Sequence, residues 1–146
     1  MKKIIKLVVF LAVIQFSAGA ANDKQIRFDQ LPTQAQQFVK QHFSEQSIAL
    51  VKMENKIFDK SYEVFFTNGD KIEFDRKGVW QDINCKYTQL PQEIVPEQIN
   101  RYVLKNYPQA RISKIEKESR NRYDVELTNG IELEFDSNFN VIDIDN

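Results

Sequence analysis

Histidine and cysteine are almost absent: His42 and Cys85 are the only ones in 146 residues. One thiol makes no intramolecular disulfide, so an apolar core must hold the fold. Cys85 reads either as a small buried hydrophobe or as a thiol able to pair between chains. One imidazole and one thiol do not build a zinc site of the usual four-ligand kind. Nothing in their order makes a nucleophile–base pair, so no catalytic residue is assigned, and His42 reads as a helix-flank histidine. Glycine is scarce, and Gly69, Gly78 and Gly130 all sit at turns, which excludes a glycine-rich phosphate loop. A basic excess is missing too: 20 basic side chains stand against 21 acidic ones. That argues against nucleic acid or an anionic membrane surface as partner.

Only one long apolar run exists, and it lies at the start. Met1-Lys2-Lys3, with Lys6, forms a positive head. Leu7 to Ile14 is unbroken and apolar, and Ala18-Gly19-Ala20 has the small-x-small form of a cleavage site. This order describes a secretory signal peptide over residues 1–20, cut after Ala20. The run is shorter than the roughly 20 residues that span a bilayer. No cysteine follows the cleavage site, which points away from a lipoprotein. Without Lys2, Lys3 and Lys6 the remaining 126 residues carry 17 basic and 21 acidic side chains, a net charge of −4. The expectation is a periplasmic, secreted or cell-surface protein with no membrane insertion after cleavage.

The chain also repeats itself. Tyr62-Glu63-Val64-Phe65-Phe66-Thr67-Asn68-Gly69 through Glu73-Phe74-Asp75 aligns without a gap on Tyr123-Asp124-Val125-Glu126-Leu127-Thr128-Asn129-Gly130 through Glu134-Phe135-Asp136, at an offset of 61. Upstream, Leu31-Pro32, Ala35, Phe38, Val39 and Phe43 align on Val95-Pro96, Ile99, Tyr102, Val103 and Tyr107 at an offset of 64. Each proline opens an apolar stripe at three- and four-residue spacing, the mark of a short amphipathic helix. Pro108 stops the second one. Strict alternation follows, in Tyr123, Val125 and Leu127 and again in Ile131, Leu133 and Phe135, as in strands with one buried face. Thr-Asn-Gly between them predicts a hairpin with a type I′ turn. The fold class read from this is α+β: two tandem helix-plus-four-strand antiparallel repeats, up to eight strands, forming a curved sheet with helices on one face. The segments are a lead over 21–30, repeat 1 over 31–84, a connector over 85–93 and repeat 2 over 94–146.

A Leu-Pro-started helix, an aromatic-Pro stop and Tyr-x-Val-x-Leu-x-Asn-Gly-x-x-Leu-x-Phe-Asp, present twice after a signal peptide, resemble the PepSY-like family, also called β-lactamase-inhibitor-like. The second copy, from Ile94 to Ile144, matches well. The first departs at Phe65, Phe66 and Asp70. The resemblance implies a curved antiparallel sheet with helices on its convex side and a periplasmic or surface location. Related PepSY domains are thought to restrain secreted proteases, whereas β-lactamase inhibition follows only from likeness of fold.

The candidate site follows from what should face water. Phe65 stands where the other copy has Glu126, on the face predicted to be wet. Trp80 stands where it has Val141. Aromatic side chains on an outward face can anchor a partner. The reading is a non-enzymatic binding or inhibitor module whose helix-free sheet face, with Phe65, Trp80, Tyr87, Glu126, Glu132 and Glu134, contacts another envelope or secreted protein. The alternative is a calcium- or small-ligand-responsive protein, with oxygens from Asp136-Ser137-Asn138-Phe139-Asn140 and the tail Asp143, Asp145 and Asn146. That turn lacks the glycine and glutamate of a calcium loop. The alternating pairs Asp124/Glu126 and Glu132/Glu134 fit a solvated strand face better than a glycosidase pair. No cofactor and no resident metal are assigned.

Overall fold

A computed structural model describes residues 22–146; the predicted signal peptide and its cleavage site lie outside the described residues. Nine strands form one antiparallel sheet: β1 (Asp23–Gln25), β2 (Ile48–Lys56), β3 (Asp59–Phe66), β4 (Lys71–Phe74), β5 (Trp80–Asn84), β6 (Ile112–Glu118), β7 (Arg122–Leu127), β8 (Glu132–Phe135) and β9 (Val141–Asp145). They lie side by side in chain order. Helix α1 (Thr33–His42) falls between β1 and β2, and α2 (Glu97–Asn106) between β5 and β6.

This corrects the expected fold class. The chain does not form two helix-plus-four-strand repeats; it forms a single nine-stranded sheet. Two findings make the difference. The β5 edge does not end a unit, because Asp82, Ile83 and Asn84 pair with Glu116, Ile115 and Lys114 of β6. Its free N–H and C=O groups are satisfied by the next strand. The lead belongs to the sheet as well: Asp23, Lys24 and Gln25 pair with Glu54, Met53 and Lys52 and add a ninth strand.

The apolar periodicity is spent on one continuous core. Ile72, Ile83, Ile115, Val125 and Leu133 oppose one another across five strands, and all are nearly or fully buried. Both helices lie on that face. Pro32 and Pro96 immediately precede α1 and α2 with extended backbone, where a missing N–H costs nothing. Ala35 and Val39, then Ile99 and Val103, are the buried stripe. Phe38 meets Phe74 edge-on at 5.8 Å, and Tyr102 meets Phe135 edge-on at 5.6 Å.

Four hairpin turns share one geometry, and it is not the expected type I′. In each, a strand-end N–H donates to a carbonyl four residues on, and the third loop residue donates back: Phe66 with Asp70 and Gly69, Asp75 with Val79 and Gly78, Leu127 with Ile131 and Gly130, Asp136 with Asn140 and Phe139. Asn68 and Asn129 keep negative φ. Only the third loop residue is left-handed, at φ +92°, +86°, +87° and, for Phe139, +63°. This is the three-residue loop closed by a G1-type bulge. Phe139 is the bulky exception at a glycine position.

Candidate functional site

The helix-free face is where the alternate residues of each strand go. Register brings acidic side chains into a row that crosses seven strands: Glu63 opposes Glu73, then Asp82, Glu116, Asp124, Glu134 and Asp143 in turn. A neighbouring row runs Phe65, Lys71, Asn84, Lys114, Glu126, Glu132 and Asp145. Like charges directly opposite each other destabilise a sheet, so cations are threaded between them. Lys71 pairs with Glu63. Lys114 lies 3.3 Å from Asp82 and 3.2 Å from Glu116. Arg122 bonds Glu134, and Lys56 approaches Glu54 and Glu73.

The balance is uneven. Around Glu63 and Glu73 the cations Lys52, Lys56 and Lys71 roughly match the acids. Over β5–β9 the two rows carry eight carboxylates, with Lys114 and Arg122 as the cations among them. Asp124 shows the cost. Burial pushes its carboxyl up to about 6, helped by the charges of Glu134, Glu118 and Glu116, and only partly offset by Arg122. Burial also raises Glu73 and Asp82 against the pull of Lys71 and Lys114 respectively.

The sequence-predicted residues separate into two groups. Phe65, Glu126, Glu132 and Glu134 share the helix-free face. Glu126 and Glu132 are direct cross-strand partners. Phe65 is half-buried between the ammonium groups of Lys52 and Lys71, 5.4 and 5.5 Å from its ring centre. Trp80 is not with them. A bulge at the β4–β5 pairing leaves Gln81 as the extra residue, so Trp80 opposes Phe74 on the covered side. It packs at the margin of the core, with the Lys117 ammonium 3.9 Å over its ring. Tyr87 lies in the β5–α2 connection, exposed, with its ring close above Gly69.

The remaining candidates have other duties. Asp136 Oδ1 accepts from the backbone N–H groups of Asn138 and Asn140, and Oδ2 from the Asn140 amide. These bonds hold the carboxyl below its ordinary range, and the turn is a capped hairpin turn. Among the described residues no three His, Cys, Asp or Glu side chains are placed to hold a metal ion. His42 faces Glu93 at 3.2 Å. Cys85 is fully buried, and burial followed by the charge of Asp70 pushes its thiol up to about 12. A thiol so protonated is unreactive. Among the described residues no helix is long and apolar enough to cross a membrane.

Two features escaped sequence reasoning. The carboxylate row needed the register. The tip of the β2–β3 hairpin, Ile57-Phe58, was legible as an apolar pair inside a turn.

Comparison with known proteins places these observations. The family described as "Putative beta-lactamase-inhibitor-like, PepSY-like" matches residues 60–143. A Bacteroides vulgatus protein described as a putative periplasmic protein of the DUF2874 family is 54% identical, with a TM-score of 0.83 over 88% of this chain and 100% of that one. A Bacteroides thetaiotaomicron protein described as a putative calcium-regulated periplasmic protein is 53% identical, with a TM-score of 0.83 and the same coverage. A third, described as a putative periplasmic protein of unknown function from B. vulgatus, is 32% identical, with a TM-score of 0.77 over 85% of this chain and 99% of that one. No curated protein matches.

Proposed function

Because the chain belongs to the PepSY-like, β-lactamase-inhibitor-like family, we propose that it is a non-enzymatic module that binds another envelope or secreted protein through the helix-free face of its sheet. Its compartment is the periplasm. The observation that carries the reading is the contrast between the two sheet faces. One is sealed by α1 and α2. The other presents ordered, ion-paired side chains across seven strands, with Phe65 held between two lysines. Such a surface is pre-organised, which lowers the entropic cost of docking. Phe65 is the anchor, and Glu126, Glu132 and Glu134 set charge complementarity at the rim. His42 and Cys85 have separate neighbours and form no nucleophile–base pair.

The test is affinity capture from the host's envelope fraction with residues 21–146 as bait, read by mass spectrometry. Phe65→Ala and the double variant Glu126→Gln/Glu132→Gln are run in parallel. Each variant should still fold, as shown by a cooperative thermal melt, and lose the protein that wild type enriches. Undiminished capture by both would remove this face from the interface.

A second reading is calcium response, favoured by the 53% identical relative described as calcium-regulated. With the Asp136 oxygens engaged in their turn and Glu134 bonded to Arg122, the exposed Glu132, Asp143 and Asp145 at the sheet edge are the better oxygen donors. An ion that binds the native state raises its stability, by about 2.7 kcal/mol at 100 times Kd. A Tm unmoved by millimolar calcium would exclude this reading.

A further inference from the structure

The chain holds two Asn-Gly bonds, Asn68-Gly69 and Asn129-Gly130. They occupy the same positions of the same three-residue turn, one in each half. Asn-Gly is the dipeptide most open to cyclic-imide formation, because glycine has no side chain to keep its nitrogen away from the asparagine amide carbon. The two backbones are held alike. Gly69 N–H donates to Phe66 O at 3.1 Å and Gly130 N–H to Leu127 O at 2.9 Å, while Thr67 and Thr128 donate to Ser47 O and Arg111 O. Attack by either glycine nitrogen therefore waits for its turn to open locally.

The side chains that keep each turn shut are different. In the first turn the next residue is Asp70, only 5% exposed. Its carboxylate accepts the Thr88 hydroxyl at 2.8 and 2.9 Å and the Asn68 side-chain amide at 3.1 Å, and Asp70 N–H donates to Asn68 Oδ1 at 2.9 Å. Asn68 is thus held by both its oxygen and its nitrogen, and the turn is tied to the β5–α2 connection. Tyr87, from that same connection, lies over Gly69, where an added Cβ would meet its ring at 2.9 Å. In the second turn Ile131 stands in place of the aspartate. Asn129 Oδ1 accepts Ile131 N–H at 3.2 Å, but Asn129 Nδ2 has no partner among the described residues. A Cβ at Gly130 would meet nothing within 4 Å, and Asn129 and Gly130 are both exposed. The one further tie, Arg111 N–H to Thr128 Oγ1 at 3.0 Å, holds Thr128 and not the asparagine.

We propose that Asn129 is a modification site, the Asn-Gly bond at which the folded protein deamidates without an enzyme. Gly130 N gives up its proton and bonds Asn129 Cγ, the Cγ–Nδ2 bond breaks, and Nδ2 leaves as ammonia. Water then opens the cyclic imide at one carbonyl or the other, giving aspartate or isoaspartate. Water is the sole co-reactant. Either product adds a carboxylate to the turn that joins the opposed Glu126 and Glu132. Isoaspartate also lengthens the main chain inside the loop closed by Leu127 N–H and Ile131 O. The inference concerns the chemistry of this turn and holds whether or not the helix-free face docks a partner.

The experiment ages the mature chain, residues 21–146, at mildly alkaline pH, both native and in guanidinium, and follows each turn by peptide mapping. The mass gain of amide-to-acid conversion and labelling by isoaspartyl methyltransferase mark each site. Unfolded, the two bonds should convert at comparable rates. Native, Asn129 should convert about tenfold or more faster than Asn68, because the hydrogen bonds to the Asp70 carboxylate reduce the open fraction of the first turn by that much. Equal native rates, faster conversion at Asn68, or no native conversion at Asn129 while the unfolded chain converts would overturn the proposal. So would a gap that persists in guanidinium, since it would then come from the neighbouring residues in the chain and not from the closed turn.

Discussion

Replacing Gly78 by alanine should destabilise the protein far more than the same change at Gly130. Both glycines occupy the left-handed position of the same three-residue turn, at φ +86° and +87°. An L-residue there costs about 1–2 kcal/mol, and that is the whole expected effect at Gly130, where an added Cβ meets nothing within 4 Å. At Gly78 the new Cβ would lie 2.8 Å from the backbone N of Ala35 and 2.8 Å from Pro32 Cβ. Neither atom can swing aside. One is main chain in the first turn of α1, and the other belongs to a proline ring. Relief requires the β4–β5 turn to lift off the helix, and overpacking of this kind costs about 1–3 kcal/mol more. The totals are about 2–5 kcal/mol for Gly78→Ala and about 1–2 kcal/mol for Gly130→Ala. At about 3–5 °C per kcal/mol for a domain of this size, Tm should fall by roughly 10 °C or more in the first and by roughly 5 °C in the second. Thermal unfolding followed by circular dichroism, at one pH and one protein concentration, reads both; the full ranges are about 6–25 °C for Gly78→Ala and about 3–10 °C for Gly130→Ala. Equal losses would refute the contact between this turn and α1.

Phe139 occupies the fourth copy of that turn at φ +63° and stacks on Tyr123 at 5.8 Å. Phe139→Ala keeps the strain and loses the stack, whereas Phe139→Gly loses both, so the glycine variant should be about 1 kcal/mol the more stable in denaturant titration. Asp124, raised to about 6 in the fold from an unfolded value near 3.9, binds more protons folded than unfolded between these values. Its contribution is therefore present below the unfolded value and is lost as pH rises through the folded one. Tm should decline across that window, and Asp124→Asn should flatten the decline; an unchanged slope would contradict the assignment. Cys85, with its thiol at about 12, should resist a disulfide reagent at pH 8 in the native state and react fully in guanidinium.

The helices and most of the strands could be read because each has a periodicity tied to one buried face. Phe38 with Val39, and Tyr102 with Val103, mark their helices, and Val125 with Leu127 marks its strand. What escaped depended on backbone pairing. Asp23-Lys24-Gln25 is polar and exposed throughout, and it is a strand only because β2 offers it an edge. Trp80 was placed on the wrong face because a bulge reverses alternation, although apolar Val141 at the matching position hinted at a covered side. The acids of each strand were visible one by one. Their alignment into a row depended on the loop length at every hairpin, since a slip of one residue sends a whole strand to the other face.

The strictly sequential strand order has a bearing on how the molecule comes into being. Except at β1–β2 and β5–β6, where a helix intervenes, every strand finds its partner across a short loop. Loop closure is then inexpensive at nearly every step, and acquisition of structure is favoured kinetically. A chain delivered from its N-terminus onward can add strands in the order they arrive, without waiting for β9. Each new strand covers the growing edge left by the one before, which shortens the time that edge is open to mispairing.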